Sequence, residues 1–241
     1  MSDVAVRRIM SSSRPTFTFA GCVLGARYTL PLIPGMVVFA SAFGAAAVQK
    51  GLTFGEALGL SGFVFAGAAQ MVGLELWRDV WTPSALLAIV TLTAVINARM
   101  ILMGAAIQPW LAGEPKARTA LTAFVLTDAN WLIATRYRSE GGQDIGVLLG
   151  SGILLWVLWV LATIPGYLAG ALVPDPKRLG LDLVMPIFFA SMLVPLWKGW
   201  RPARPWAVAA GVALIVHAIV PGYAFILAGA VAGAVAGALV E

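Results

Sequence analysis

Gln70 sits inside VFAGAAQMVG, Asn97 and Arg99 inside AVINARMILMG, and Asp128 and Asn130 inside FVLTDANWLIA. Each of these side chains is flanked on both sides by apolar residues. At such depth an amide or a charge is costly unless it pairs or faces an internal pathway. Asp128 and Arg99 carry opposite charges and can lower each other's burial cost as an ion pair, so a structural lock and a direct substrate contact are both open to them. Asn97 and Arg99 are two residues apart, which on a helix turns their side chains about 200° from one another, so that one faces a cavity when the other does not. His217, the sole histidine, lies in ALIVHAIVPG. Its imidazole has the chemistry of a proton relay near neutral pH, although a lone histidine in such a setting more often just completes a hydrogen bond.

Side chains of this kind need elements that hold them, and here the apolar stretches carry their own breakers. LPLIPGMVVFASAFG (residues 30–44) contains Ile33-Pro34-Gly35, echoed by Ile164-Pro165-Gly166. In hydrocarbon a broken helix survives only where its freed backbone groups face protein or water. A half-helix beginning after Gly35 would aim its positive dipole end and unpaired N–H groups inward, where they could hold a carboxylate. The echo, together with Phe65-Ala66-Gly67 against Phe189-Ala190-Ser191, also raises an internal repeat.

The composition says what surrounds these elements. Of 241 residues 60% are hydrophobic and 11% charged, with a mean hydropathy of +0.90, against about 25% charged in a soluble domain. Apolar runs are expected at 20–48, 55–77, 83–108, 119–137, 145–173, 180–197 and 205–240, the last divided by Pro221-Gly222. The fold class is therefore all-α, a polytopic bundle of seven or eight membrane segments with proline- and glycine-broken helices. Residues 1–19 form an N-terminal tail, and residues 20–241 a single membrane domain. The run after Arg7 and Arg8 is too long for a cleaved leader, despite Ala40-Ser41-Ala42. Taking seven crossings, nine basic residues (Arg7, Arg8, Arg14, Arg78, Arg136, Arg138, Lys198, Arg201 and Arg204) share the N-terminal side, against five (Lys50, Lys116, Arg118, Lys177 and Arg178). The N-terminus is thus expected in the cytoplasm.

Glycines at four-residue spacing (Gly21 and Gly25, Gly55 and Gly59, Gly146 and Gly150, Gly166 and Gly170, then Gly229, Gly233 and Gly237) suit close helix packing. On the final helix the same ridge also suits a partner, including a second copy of the chain. Trp77, Trp81, Trp110, Trp197, Trp200 and Trp206 read as headgroup anchors, while Glu56, Glu75, Asp79 and Asp182 read as interfacial. Basic residues in short loops argue against nucleic acid as a partner. One cysteine and one histidine exclude a Cys/His metal cluster, and no phosphate loop or dinucleotide fingerprint is present, so neither metal nor cofactor is expected. Gly59-Leu60-Ser61-Gly62, with His217 as base, resembles an intramembrane serine protease motif, but glycine and serine are too common here for this to outweigh a non-enzyme reading.

FAGAAQ (65–70), Asn97-x-Arg99, Thr127-Asp128 and VPDPKRLGLD (173–182) followed by FFASMLVPL together resemble, in content and order, the AzlC family of bacterial branched-chain amino acid exporters. The resemblance runs from about Pro15 to the C-terminus. It implies the large subunit of a two-component exporter in the bacterial inner membrane, working with a small hydrophobic AzlD-type subunit and drawing on the proton gradient. Ala129-Asn130 after Thr127-Asp128, and Met100 after Arg99, stand where relatives often carry titratable residues. On this reading Pro34, Gly35, Gly67, Ala68, Gln70, Asn97, Arg99, Asp128, Asn130, Pro165 and Gly166 are the candidate substrate-binding positions. Asp128, then His217, are the candidates for proton coupling. A channel-like pore is the other class, and no filter-like sequence favours it.

Overall fold

The computed structural model describes residues 15–77, 82–172, 199–220 and 224–240, with positions 183, 187, 190, 194 and 197 between them. The regular structure of these residues is helical: α1 (Phe19–Thr29), α2 (Ile33–Gln49), α3 (Phe54–Phe63), α4 (Gly67–Leu76), α5 (Pro83–Leu111), α6 (Lys116–Phe124), α7 (Asp128–Ser139), α8 (Gly146–Leu172), α9 (Trp200–Ile219) and α10 (Ala224–Val240). Among the described residues four helical stretches are long and apolar enough to cross a membrane: Phe19–Gln49, Pro83–Leu111, Gly146–Leu172 and Trp200–Ile219. The expected division of 205–240 is present, since α9 ends at Ile219 and α10 starts at Ala224. The expected span 180–197, the VPDPKRLGLD stretch, Arg7, Arg8, Arg14, Arg78, Asp79, Trp81 and Pro221-Gly222 lie wholly or mostly outside the described residues.

The helices form two packing units. The first holds residues up to Trp77 and from Ile96 to Asp175; the second holds 78–95 and the chain from Pro176 onward.

In the first unit α8 is the central post. The start of α1 is pinned to the start of α8 by Asp144. Its carboxylate accepts from the Thr18 N–H (3.1 Å), the Thr18 hydroxyl and the Gly146 N–H (2.8 Å), while the Thr18 hydroxyl oxygen accepts from the Gly21 N–H (2.9 Å). One carboxylate therefore caps two helix N-termini, where acidic groups are favoured. Asp144→Ala is expected to lower stability in detergent by roughly 1–2 kcal/mol, the size of losing a strong cap, read as a fall in melting temperature.

Above this point glycines allow backbone-to-backbone contact. A Cβ on Gly25 would land on the Val147 carbonyl, one on Gly150 on the Cys22 carbonyl, one on Gly44 on the Thr163 carbonyl and one on Gly166 on the Ser41 carbonyl. These glycine ridges thus serve packing within the chain, whereas a Cβ on Gly55 or Gly59 would meet nothing within 4 Å, so that expected pair is not a packing ridge.

The Ile33-Pro34-Gly35 break is not where the sequence suggested. The chain passes from α1 to α2 through a single 3-10 turn, Leu30–Leu32. The two carbonyls that Pro31 and Pro34 cannot reach, those of Arg27 and Leu30, accept instead from the Leu30 and Ile33 N–H groups. Because those bonds are closed locally, the helix shifts its hydrogen-bond pattern without leaving these carbonyls unpaired. Pro34 and Gly35 are exposed, and a Cβ on Gly35 would meet nothing within 4 Å. Pro165 likewise lies inside an unbroken α8. The Ile-Pro-Gly echo therefore falls in two unlike settings.

The true breaks are at Val64–Ala66, between α3 and α4, and at Val125–Thr127, between α6 and α7. At both the chain turns back. α3 starts beside the far end of α8, where the Phe54 and Tyr167 rings lie 5.4 Å apart and the Tyr167 hydroxyl donates to the Leu52 carbonyl (2.8 Å). α4 ends at the same place, with Glu75 paired to Lys50 at 3.3 Å. α6 starts at the other end of α8, where Arg118 lies 3.8 Å over the Phe17 ring. α7 returns there, with Arg138 5.1 Å over the Trp110 ring and the Trp110 indole donating to the Gln143 carbonyl (3.2 Å). The stretches 55–77 and 119–137, expected as crossings, are thus two helical hairpins that approach the middle of α8 from opposite ends.

The second unit contains α9 packed on α10. Gly229 and Gly233 face Ala209, Ala213 and Pro205, so the C-terminal glycine stripe meets the chain's own helix. Trp197 lies 5.2 Å from Trp200 and 6.1 Å from Trp206, an aromatic cluster at one end of α9. Trp110, expected as an anchor, is instead buried in the first unit.

Candidate functional site

The hairpin tips meet on one residue. The Trp156 indole donates to the Gly62 carbonyl at the end of α3 (2.9 Å), and its ring meets Phe124 at the end of α6 edge-on at 6.2 Å. Four half-helix ends therefore gather within the stretch of α8 between Gly152 and Trp159, about 10 Å along its axis.

The α3–α4 tip holds FAGAAQ. Phe65 adopts φ +30°, a left-handed backbone that a bulky side chain adopts only when its surroundings impose it. Ser61 is fixed to Thr163, hydroxyl to hydroxyl at 2.8 Å, and Thr163 donates in turn to the Trp159 carbonyl (2.9 Å). That is a packing role, and it gives the protease reading of Ser61 no support. α4 begins at Gly67 with no side-chain cap, so the N–H groups of Gly67, Ala68 and Ala69 have no partner within the helix.

Gln70, in the first turn, is 4% exposed, and neither its amide nitrogen nor its oxygen makes a hydrogen bond. Helical side chains lean toward the N-terminus, so this amide leans toward the break. The rings of Phe39, Phe65 and Trp159 gather at this break, with centroids 5.2 Å apart for Phe39–Trp159 and 6.4 Å for Phe65–Trp159. A Cβ on Gly67 would lie 2.6 Å from the Trp159 ring and 2.9 Å from that of Phe39. The Trp159 indole nitrogen is also buried without a partner.

The α6–α7 tip is closed differently. Thr127 and Asn130 form a capping box in which the Asn130 side-chain oxygen accepts from the Thr127 N–H (2.7 Å) and hydroxyl (3.2 Å), while its NH2 donates to the Val125 (2.9 Å) and Leu148 (3.4 Å) carbonyls. All four bonding positions of that amide are used. Asn130, expected to touch substrate, is spent on holding the tip. Asp128 occupies the first turn of α7, where the helix dipole favours a carboxylate, and pairs with Arg99 at 3.0 Å. Arg99 Nε and Asn97 Oδ1 are buried and unpartnered, so both residues of Asn97-x-Arg99 turn a polar atom inward despite their angular separation.

The expected positions thus separate into groups. Gly67, Ala68 and Gln70 stand at one tip, and Asp128 with Arg99 at the other. Pro34, Gly35 and Pro165 are exposed, and Gly166 is a packing glycine. His217 lies exposed on α9, its ring 4.9 Å from that of Phe225. Trp156 and Trp159 were missed because tryptophan was read as a headgroup anchor; their signal is position, since both fall mid-span. No cluster able to hold a metal ion occurs among the described residues.

Apolar helices of membrane-crossing length, with two helical hairpins whose tips meet on α8 and carry polar groups, make this a multi-pass membrane protein. Residues 31–173 match the family described as AzlC protein, and the chain belongs to that family. It is 28% identical over 183 residues to the inner membrane protein YgaZ of Escherichia coli, covering 70% of this chain and 71% of that protein. It is 29% identical over 196 residues to an uncharacterized membrane protein of Archaeoglobus fulgidus (80% and 83%), and 24% identical over 172 residues to one of Helicobacter pylori (71% and 73%). No solved structure matches the chain.

Proposed function

We propose that the protein is a secondary transporter that exports small aliphatic amino acids, branched-chain ones foremost, across the bacterial inner membrane. In this reading it uses the proton gradient and works with a small AzlD-type subunit. The observation that carries the reading is the meeting of two hairpin tips at Trp156. Helix ends at mid-membrane depth are tolerated where they line a protein-enclosed, polar chamber, and transporters place substrate sites there.

The hairpins are re-entrant in this reading, and they belong to an inverted repeat. LSGFVFAGAAQ (60–70) aligns without gaps on LTAFVLTDANW (121–131). The alignment sets the ends of α3 and α6 (Phe63, Phe124) and the starts of α4 and α7 (Gly67, Asp128) in register. The two hairpins open toward opposite ends of α8, so the halves have opposite orientation. Lys116, Arg118, Arg136 and Arg138 then share the side of the α1 start, against Lys50 on the other, a bias that supports a cytoplasmic N-terminus by the positive-inside rule.

Asp128 is the proposed proton-coupling residue, with His217 second. The test is labelled leucine in proteoliposomes, with and without a pH gradient. The wild type is expected to show saturable counterflow and gradient-driven accumulation. Asp128→Asn is expected to keep counterflow and lose at least about tenfold in accumulation, the scale of one lost charge-assisted interaction. Gradient-driven accumulation unchanged in Asp128→Asn removes the coupling assignment; flux without counterflow favours a pore.

A further inference from the structure

We infer that the uncapped start of α4 is a carboxylate seat, in which the Gly67, Ala68 and Ala69 N–H groups, Gln70 and the Trp159 indole bind the acid end of the substrate. This rests on the transporter reading and deepens it. The aligned hairpins carry the argument. At the start of α7 the chain supplies its own hydroxyl and its own carboxylate, Thr127 and Asp128. The equivalent positions of α4 are Ala66 and Gly67, which supply neither, and no side-chain cap replaces them. Asp128 therefore shows what chemistry a helix start at this depth takes, and the α4 start must draw it from elsewhere.

A second, independent observation points the same way. Two buried donors stand at this helix start with no partner: the amide nitrogen of Gln70, in the first turn, and Nε1 of Trp159, whose ring would be 2.6 Å from a Cβ on Gly67. Buried polar groups are rarely left unsatisfied in a finished structure, and unpartnered donors beside uncapped N–H groups select an anion. The Gln70 oxygen, also unpartnered, is left as an acceptor for the ammonium of the same zwitterion. Phe39 and Phe65, beside the Trp159 ring, give the aliphatic tail an apolar wall.

The test uses the purified full-length chain in detergent, titrated with isocaproate, which has the acid and the tail but no amine, and with isoamylamine, which has the reverse. Isocaproate is expected to raise the melting temperature in a saturable way, and isoamylamine to leave it unchanged. Gln70→Leu, which nearly keeps size, and Trp159→Phe, which keeps an apolar aromatic ring but removes the N–H, are each expected to weaken isocaproate binding about tenfold, the cost of one hydrogen bond to a charged group. Equal or better protection by isoamylamine, no protection by isocaproate, or wild-type affinity in both variants overturns the seat. If a variant fails to fold, the acid-against-amine comparison on the wild type still decides. Leucine counterflow without isocaproate binding sinks the seat and leaves the transporter standing; isocaproate binding without leucine counterflow does the reverse.

Discussion

Gly166→Ala is expected to abolish accumulation of folded protein, while Gly35→Ala leaves it intact or more stable. The two glycines occupy matching places in the Ile-Pro-Gly echo, and residue type alone does not tell them apart. On Gly166 the added carbon lands on the Ser41 carbonyl, in a stretch where Gly44 meets the Thr163 carbonyl and Gly170 meets Ala45. Backbone stands on both sides, and neither helix can withdraw without breaking the other contacts between α2 and α8. Overpacking relieved by side chains costs about 1–3 kcal/mol; with backbone as the obstacle, the loss is expected at or above about 3 kcal/mol, a large part of a typical domain's stability. Gly35 meets nothing, so alanine there only improves helix propensity, by up to about 1 kcal/mol. Size-exclusion profiles and melting curves of the two variants in one detergent check both halves. A well-folded Gly166→Ala protein would mean that α2 and α8 do not cross as described.

The class of the molecule was legible in its composition, and the polar positions in their isolation among apolar neighbours. The pairing of Asp128 with Arg99, one of the two roles that their charges left open, is present at 3.0 Å. What misled was punctuation. Proline and glycine mark breaks in water-exposed chains, but Pro31 and Pro34 sit where two i−3 bonds repair the damage, and Pro165 lies within a helix packed through Gly166 and Gly170. The real breaks contain neither proline nor, before Gly67, any glycine: Val64-Phe65-Ala66 and Val125-Leu126-Thr127. They are imposed by tertiary contacts, Trp156 on Gly62 at one tip and Asn130 on Val125 and Leu148 at the other. Hydropathy could not separate hairpin from crossing either, because two short helices and one long one present the same apolar length.

That ambiguity makes surface labelling the sharpest test of the topology. In a Cys22→Ser background, Gln49→Cys and Glu75→Cys are expected to react with a membrane-impermeant maleimide from the same face of the membrane, and Lys116→Cys and Glu140→Cys from the opposite face. All four positions are exposed, so accessibility does not depend on opening the fold. If residues 55–77 crossed the membrane as one helix, the first pair would divide between the faces, and likewise the second pair for 119–137. The difference is all-or-none: in intact cells or sealed vesicles of one orientation, each hairpin's two ends are both labelled or both protected. The physical reason lies in length. α3 and α4 have 10 residues each, about 15 Å at 1.5 Å per residue, half of a hydrocarbon core of about 30 Å. Each arm can reach the middle and no further, and Lys50 paired with Glu75 at 3.3 Å closes the mouth on the side where the chain went in. Opposite-face labelling of Gln49→Cys and Glu75→Cys would break the proposed inverted repeat and, with it, the meeting of the α3 and α6 ends on Trp156.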